Sequence, residues 1–348
     1  MSDLKHILVI RLSSMGDVAM TVPVLSAFSN AYPKVALTVL TKKQFVPLFR
    51  DLKMVTVLLA DFDTTYKGLV GLYRLSKLLR NTQLEAVVDL HNVLRTKILK
   101  FFLSGIKFHQ IDKGRSEKKA LITGKTKTPL RTTTQRYADV FRSLGFEFEL
   151  DSPSFPAPKL LDTAITKELG GFSNSVIGIA PFAAYASKTY SISKMDQVIS
   201  KLEKESKVLL FGGGANETKQ LEAIASKYSN VFCVAGKFSL EQELDIISNL
   251  KVMLSMDSSN GHMAAMLGVN VITLWGVTHP SAGFAPFHQK VTNNILSDKD
   301  KYPKIPTSIY GNSYPKGYEF AMETIRVETI IKKVKENLNI VKINPNRT

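Results

Sequence analysis

Four short stretches combine residue types that could do chemistry on a charged, hydroxyl-bearing substrate. The first is Arg11-Leu12-Ser13-Ser14-Met15-Gly16-Asp17, between an apolar run from His6 to Leu12 and a helical pattern from Val18 to Ala31. Gly16 permits a tight turn, and Asp17 then projects a carboxylate beyond the carboxyl end of a strand, where open α/β sheets bind ligands. An aspartate at a helix start is equally at home as an N-cap. The second is Ser255-Met256-Asp257-Ser258-Ser259-Asn260-Gly261-His262-Met263-Ala264-Ala265. Here a buried strand ends in small polar residues that open a helix. Unpaired N–H groups at a helix start carry partial positive charge and suit a diphosphate, and small residues let it approach. His262 could add a hydrogen bond or a positive charge, although a lone histidine also serves structural ends.

The third stretch is Phe211-Gly212-Gly213-Gly214-Ala215-Asn216-Glu217. Glycines after a strand fit a tight turn or the close approach of a ligand. The spacing is not the G-x-G-x-x-G dinucleotide fingerprint. Glu217 could accept hydrogen bonds from ribose hydroxyls, or simply complement the helix dipole as a first-turn acid. The fourth is Ala180-Pro181 followed by Ser187-Lys188-Thr189-Tyr190, where Lys188 could reach a donor phosphate. Asp61-Phe62-Asp63 has the D-x-D shape that binds metal in some sugar transferases, but three-residue matches arise by chance. C-x-x-C, H-E-x-x-H, G-x-x-x-x-G-K-[ST] and G-x-S-x-G are all missing. These tempting patterns fail, and no cofactor is expected.

These stretches need strands and helices to hold them. Short β-rich runs alternate with amphipathic helical stretches, the pattern of an α/β protein. Strands are expected at His6–Leu12, Val35–Leu40, Val55–Ala60 and Ala86–Leu90, and a helix at Gln135–Leu144. Lys113 to Arg131 has no long period and reads as a basic loop. Pro153, Pro156 and Pro158 mark a break in regular structure and a domain boundary. A second series follows, with strands at Val176–Ala180, Lys207–Phe211, Val231–Val234, Val252–Met256 and Val271–Trp275. Helical patterns lie at Asn216–Lys227, Leu240–Asn249 and, amphipathically, Glu323–Leu338. The expected division is residues 1–152, 160–322, and a C-terminal helix and tail over 323–348: two doubly wound domains facing a cleft.

The chain has 348 residues, enough for two domains of middling size. Its single cysteine, Cys233, excludes an internal disulfide and sits in an apolar run as a buried, inert thiol. No apolar run approaches the roughly 20 residues of a membrane span, and no signal peptide is visible, so a cytoplasmic location is expected. The net charge is +16 and uneven. Residues 1–150 carry 24 basic and 12 acidic groups, and Arg95 to Arg136 alone holds twelve basic residues against Asp112 and Glu117. Such a field attracts nucleic acid, anionic lipid head groups or a phosphorylated substrate, or serves solubility alone.

Together these stretches resemble family 9 of the glycosyltransferases, the lipopolysaccharide heptosyltransferases. The resemblance rests on Ile7 through Asp17 with Pro23 following. It rests also on Phe238-Ser239-Leu240 leading through Asp257, His262 and Ala264-Ala265 to Leu267-Gly268-Val269 and Trp275-Gly276-Val277-Thr278-His279-Pro280. Asp89-Leu90-His91 with Arg95, and Arg136-Tyr137-Ala138 to Leu144-Gly145, add weaker matches. The resemblance implies a GT-B fold, an N-terminal acceptor domain, a C-terminal nucleotide-sugar domain, an ADP-linked heptose donor, inversion, and no metal. It implies Asp17 as general base and Lys188 as the group that neutralises the diphosphate. Ser258, Ser259, Gly261 and His262 would form the phosphate loop, Asp257 would meet the donor sugar, and closure of the cleft would assemble the site.

Ser13, Ser14, Arg95, Lys113 and Arg115 are the candidates for binding an anionic glycolipid acceptor. That acceptor implies peripheral contact with the inner face of the inner membrane. Ser259 and Gly261 depart from the family's usual loop, and residues 298–318 match nothing in it. A basic nucleic-acid-binding protein is the first alternative, but no binding module is recognisable. A Rossmann-type nucleotide-sugar-modifying enzyme is the second, against which the missing dinucleotide fingerprint counts.

Overall fold

The computed structural model describes residues 4–172 and 175–339. The chain divides into two units. One comprises the chain up to Arg115 together with Arg131–Pro156, the other Ser116–Leu130 and the chain from Ala157 onward.

The first unit is built on a five-stranded parallel sheet. Its strands are β1 (His6–Ile10), β2 (Ala36–Thr41), β3 (Val55–Leu59), β4 (Ala86–Asp89) and β5 (Lys107–Gln110), in the order β3-β2-β1-β4-β5. The central strands read as unbroken apolar runs because both faces of a parallel sheet are covered. Ile7 pairs with Leu37 on one side and Ala86 on the other. Helices α1 (Met15–Ala19), α2 (Thr21–Ala31), α3 (Gly68–Asn81), α4 (Leu94–Phe102) and α6 (Thr133–Arg142) complete it, while α5 (Arg115–Ile122) belongs, from Ser116 on, with the second unit. Phe28 of α2 packs its ring against Phe141, Phe146 and Phe148, which seals the end of the α6 region onto this core.

The second unit has six parallel strands: β6 (Val176–Ala180), β7 (Lys207–Leu210), β8 (Val231–Cys233), β9 (Val252–Met256), β10 (Asn270–Trp275) and β11 (Asn294–Leu296). Their order is β11-β10-β9-β6-β7-β8. Helices α7 (Thr163–Glu168), α8 (Ile192–Leu202), α9 (Ala215–Ala225), α10 (Leu240–Ser248), α11 (Ser259–Met266) and α12 (Val327–Leu338) accompany them. Ser239 and Gln242 form a reciprocal capping box at the start of α10, satisfying two N–H groups that the helix itself cannot. Lys207 lies across the end of α7, its Nζ donating to the carbonyls of Leu169, Gly170 and Gly171 at 2.6–2.7 Å. Burial lowers the pKa of that ammonium.

In each sheet the strand order reverses at one place, and there the loops leaving adjacent strands diverge and open a crevice. In the first unit this switch lies between β1 and β4, where Ile10 pairs with Asp89. In the second it lies between β6 and β9, where Ala180 pairs with Ser255. Both are set by tertiary pairing, since the partner strands are far apart in sequence.

Three expectations change. The stretch from Lys113 to Arg131 is not simply a loop: it contains α5, and from Ser116 to Leu130 it belongs with the second unit. Leu130 donates its N–H to the carbonyl of Ser281 there. The first helix begins at Met15, not Val18, so Asp17 lies inside its first turn. The strands β5 and β11 and the helices α3 and α4 went unread. β5 and β11 are short edge strands with polar residues, and α3 and α4 carry apolar residues on more than one face. The part of the expected tail beyond residue 339 lies outside the described residues.

Candidate active site

The first unit gathers its polar groups at the carboxyl ends of β1 and β4. Arg11, buried, follows β1 and donates Nη1 to the carbonyl of Leu90 at 2.7 Å. That bond ties together the two loops at the switch. Its Nη2 meets Oδ2 of Asp17 at 2.6 Å. Ser14 donates its hydroxyl to the same oxygen at 2.9 Å and its N–H at 3.4 Å. The three contacts all fall on Oδ2. Asp17 is thus a first-turn residue held by its helix start and by a buried cation. Tyr137 of α6 supports the pair from behind, its ring 5.7 Å from the guanidinium and its hydroxyl donating to the Asp17 carbonyl at 3.4 Å.

The loop after β4 is fixed by Asp89, which is fully buried. Its Oδ1 accepts the N–H groups of His91 and Asn92 at 2.9 Å each, and its Oδ2 accepts from the Gln110 amide at 2.8 Å. This turn presents His91, whose Nε2 lies 3.5 Å from the Ser13 hydroxyl. Burial first, and then the charges of Arg11 and Lys113, push the His91 pKa down to about 4. The imidazole is therefore neutral at neutral pH. Burial, Arg11 and Arg115 likewise lower the pKa of Lys113, while Asp17 and Asp89 act in the opposite sense. Lys113 thus shares the electrostatic environment of Asp17. Arg95 stands apart, exposed on α4 with its guanidinium 5.1 Å from the Phe62 ring centre.

In the second unit the groups gather at the ends of β6 and β9. Lys188, in a helical turn after β6, brings its Nζ to 3.2 Å from Oδ2 of Asp257, just beyond β9. Thr278, beyond β10, donates its hydroxyl to the same oxygen at 3.0 Å. Both charged side chains are largely withdrawn from solvent. Ser258 is the N-cap of α11, and its buried hydroxyl oxygen has no hydrogen-bond partner among the described residues. Ser259 and Gly261 occupy the first turn of that helix, and His262 is buried just behind. A Cβ on Gly261 would stand 2.6 Å from the Ser255 hydroxyl, so close packing of helix on strand requires the glycine. Glu217 accepts the Gly213 N–H at 2.8 Å, which makes it a clasp of the glycine turn before α9 as well as a candidate for ribose.

Residues 298–318, which the sequence left unplaced, lie against this cluster. Gly311 accepts a hydrogen bond from the Ser187 hydroxyl at 2.5 Å. With φ of +84°, it sits where a Cβ would come within 2.6 Å of Lys188 Cγ. Thr307 donates its N–H to the Val277 carbonyl at 3.0 Å, and Tyr302, Ile305 and Tyr318 pack with Val277 as a small core of their own. The segment is a strap that holds the lysine stem in place.

The structure therefore brings Ser13, Ser14, Asp17 and Lys113 together in one unit, and Lys188, Asp257 and Ser258 in the other. The supporting roles of Arg11, Asp89, His91, Tyr137, Thr278 and Gly311 were not read from the sequence. Charge pairing with Asp17 could have flagged Arg11. Nothing local marks Gly311, whose partner is more than a hundred residues away. Asp61 of the D-x-D match is spent on a turn, accepting from Thr64, Thr65 and the Asp63 N–H. These bonds hold its pKa at about 2. Among the described residues no group of three or more His, Cys, Asp or Glu stands together as a metal cage.

The low His91 pKa carries a pH dependence. An unfolded histidine titrates near 6.5, so between about 6.5 and 4 the unfolded chain binds a proton that the folded chain does not. This contribution is complete above pH 6.5 and is lost as pH falls toward 4. His279, also held near 4 by burial, acts in the same direction. Glu243, raised to about 7 by burial, acts in the opposite one. In thermal melts from pH 7 to pH 5, His91→Gln should lose less melting temperature than the parent. Parallel losses would refute the assignment.

Comparison with known proteins bears on both units. The family model for glycosyltransferase family 9 (heptosyltransferase) matches residues 72–312. The lipopolysaccharide core heptosyltransferase OpsX of Haemophilus influenzae is 24% identical over 95% of this chain and 96% of its own length. A family 9 glycosyltransferase structure from Veillonella parvula aligns with a TM-score of 0.75 at 18% identity, over 96% of this chain and 97% of its own. The structure of an Escherichia coli ADP-heptose lipopolysaccharide heptosyltransferase II aligns at 0.68 and 16% identity, over 96% and 98%. With their two parallel α/β domains, these likenesses establish the GT-B fold.

Proposed function

The chain belongs to glycosyltransferase family 9, the heptosyltransferases, and on that premise we propose that it transfers heptose from ADP-heptose, with inversion, onto a lipopolysaccharide core sugar. The observation that carries this reading is the cluster of Lys188, Asp257 and Thr278 beside the start of α11. A diphosphate needs positive charge and N–H donors, and this is where the second unit offers both. Lys188 and the first-turn N–H groups hold the leaving ADP and take up the charge that grows as the glycosidic bond breaks. The Ser258 hydroxyl, without a partner among the described residues, donates to a phosphate oxygen. Asp257 orients Lys188 and meets the donor sugar, and Glu217 meets the ribose.

The first unit supplies the other half of the reaction. Oδ1 of Asp17 accepts the proton of the acceptor hydroxyl as that oxygen attacks the anomeric carbon opposite ADP. Arg11 and Ser14 keep the carboxylate oriented. Lys113 and Arg115, with Ser13 and the more distant Arg95, bind the anionic acceptor. Because that acceptor is lipid-anchored, the enzyme works in peripheral contact with the inner face of the inner membrane. No helix among the described residues is long and apolar enough to cross a membrane.

The reading assigns charge neutralisation to side chains and backbone, without a metal. The test is turnover of ADP-heptose with a lipopolysaccharide-core acceptor, with and without excess chelator. Release of ADP at an unchanged rate in chelator is the expected result. Abolished turnover, restored by a divalent ion, would overturn the metal-free part. No turnover in either condition would overturn the donor assignment.

A further inference from the structure

We propose that the outer face of α3 and α4 is the surface by which the protein docks on an anionic lipid bilayer. The two helices lie side by side on the first unit. Arg80 of α3 donates to the carbonyls of Phe102 and Ser104 at 2.9 and 2.8 Å, and the Tyr73 and Phe102 rings meet edge to face. Their inner faces are accounted for: Leu72, Leu75, Leu79 and Leu99 are buried in the core of this unit. The outer faces are not wholly polar, as those of a surface helix in water usually are. Leu69, Val70, Tyr73, Leu78, Leu94 and Phe101 are 40–76% exposed. One exposed leucine is ordinary, but Leu69, Val70 and Tyr73 fall within about 100° of one another around α3, and Leu94 and Phe101 share a face of α4, so these five form an apolar patch, with Leu78 on the far flank of α3.

The charge between them selects the occupant. α3 and α4 contain six basic residues, Arg74, Lys77, Arg80, Arg95, Lys97 and Lys100, and no aspartate or glutamate. Cations interleaved with aliphatic and aromatic side chains match the boundary between phosphate head groups and acyl chains. Lysine is depleted from the buried centre of protein interfaces but keeps its ammonium in the head-group layer while its stem covers apolar surface. Lys77 already lies this way, its Nζ 4.8 Å from the Tyr73 ring centre. The Lys113–Lys119 stretch, more basic in sequence, is a poorer candidate for a single docking face. Lys113 shares the electrostatic environment of Asp17, and Lys118 and Lys119 belong with the other unit.

This inference rests on the proposed membrane contact, and its test separates the two readings. The full-length protein is floated with phosphatidylglycerol–phosphatidylethanolamine vesicles and with phosphatidylcholine vesicles, at about 0.05 M and about 0.5 M salt. ADP affinity and thermal melts are measured on the same proteins. The parent should float with the anionic vesicles at low salt and lose most of that binding at high salt. Val70→Glu with Phe101→Glu should weaken flotation at least about tenfold, since two buried apolar contacts become head-group repulsions. Val70→Leu with Phe101→Leu should retain it. Lys77→Ser, Lys97→Ser and Lys100→Ser together should weaken it by about fivefold per charge removed. ADP affinity should be unchanged throughout. A parent that ignores anionic vesicles, or a double glutamate variant that floats like the parent, overturns the docking surface. Self-association through this face without vesicle binding overturns it too. Failure to bind ADP would count against the transferase reading and leave the flotation result standing.

Discussion

Asp17→Asn should lower turnover by roughly 10²–10⁴-fold while leaving ADP affinity intact. Asparagine preserves the shape of the side chain and can still accept from Ser14 and Arg11, but it removes the negative charge and with it the basicity. The competing account is structural, because Asp17 also pairs with the buried Arg11 at 2.6 Å and closes the first turn of α1. Losing one partner of such a pair costs up to about 3 kcal/mol, discounted here because Asp17 is partly exposed. The two accounts separate through Arg11→Met. If the pair matters only for stability, both variants should lose melting temperature and activity together. If Asp17 is the base, Arg11→Met should retain much more turnover than Asp17→Asn at a temperature where both are folded. An Asp17→Asn enzyme with near-parent turnover would leave the helix start as its whole role.

Lys188→Ala should weaken ADP binding by roughly ten- to a hundredfold, from the loss of a charge-assisted contact of about 1.5–3 kcal/mol. In the free protein Lys188 is not idle: it neutralises Asp257 at 3.2 Å, and the strap at Gly311 packs on its stem. Removing it leaves a carboxylate in a buried place, which adds repulsion toward the incoming diphosphate. Asp257→Asn is the informative partner, since it frees the ammonium without removing it. Titration calorimetry with ADP should therefore show Lys188→Ala much weaker than the parent and Asp257→Asn weakened far less. Equal loss in both would mean that the pair is a structural unit. Unchanged affinity in Lys188→Ala would place the diphosphate elsewhere.

Much of this arrangement was legible before any coordinates. The alternation of apolar runs and helical stretches gave an α/β chain with two sheets, and Val176–Ala180 and Val252–Met256 are strands with those same ends. A buried parallel strand needs an unbroken apolar run, and a helix that opens after it needs small or polar residues, so the loops after β1, β6 and β9 announce themselves locally. The positions of Asp17, Lys188, Asp257 and Ser258 just beyond those strands were readable for that reason. The polar edge strand Lys107–Gln110 was not, since its run has little apolar character. Neither was α5, where a helix of basic residues reads like a loop.

What the amino-acid sequence determined by itself is the set of local signals: which runs are strands, which loops open helices, and where carboxylates, lysines and small residues fall within them. Which of those loops meet was decided by tertiary structure alone. Arg11 and Leu90 touch because β1 pairs with β4, and Lys188 and Asp257 touch because β6 pairs with β9. The strap from 298 to 318 closes on Lys188 only because Gly311 can take a positive φ against its stem. The apolar face of α3 and α4 likewise emerges only when their inner leucines are used up in the core. Pairing register and burial are non-local, set by which surfaces exclude water together, and no window of sequence contains both partners.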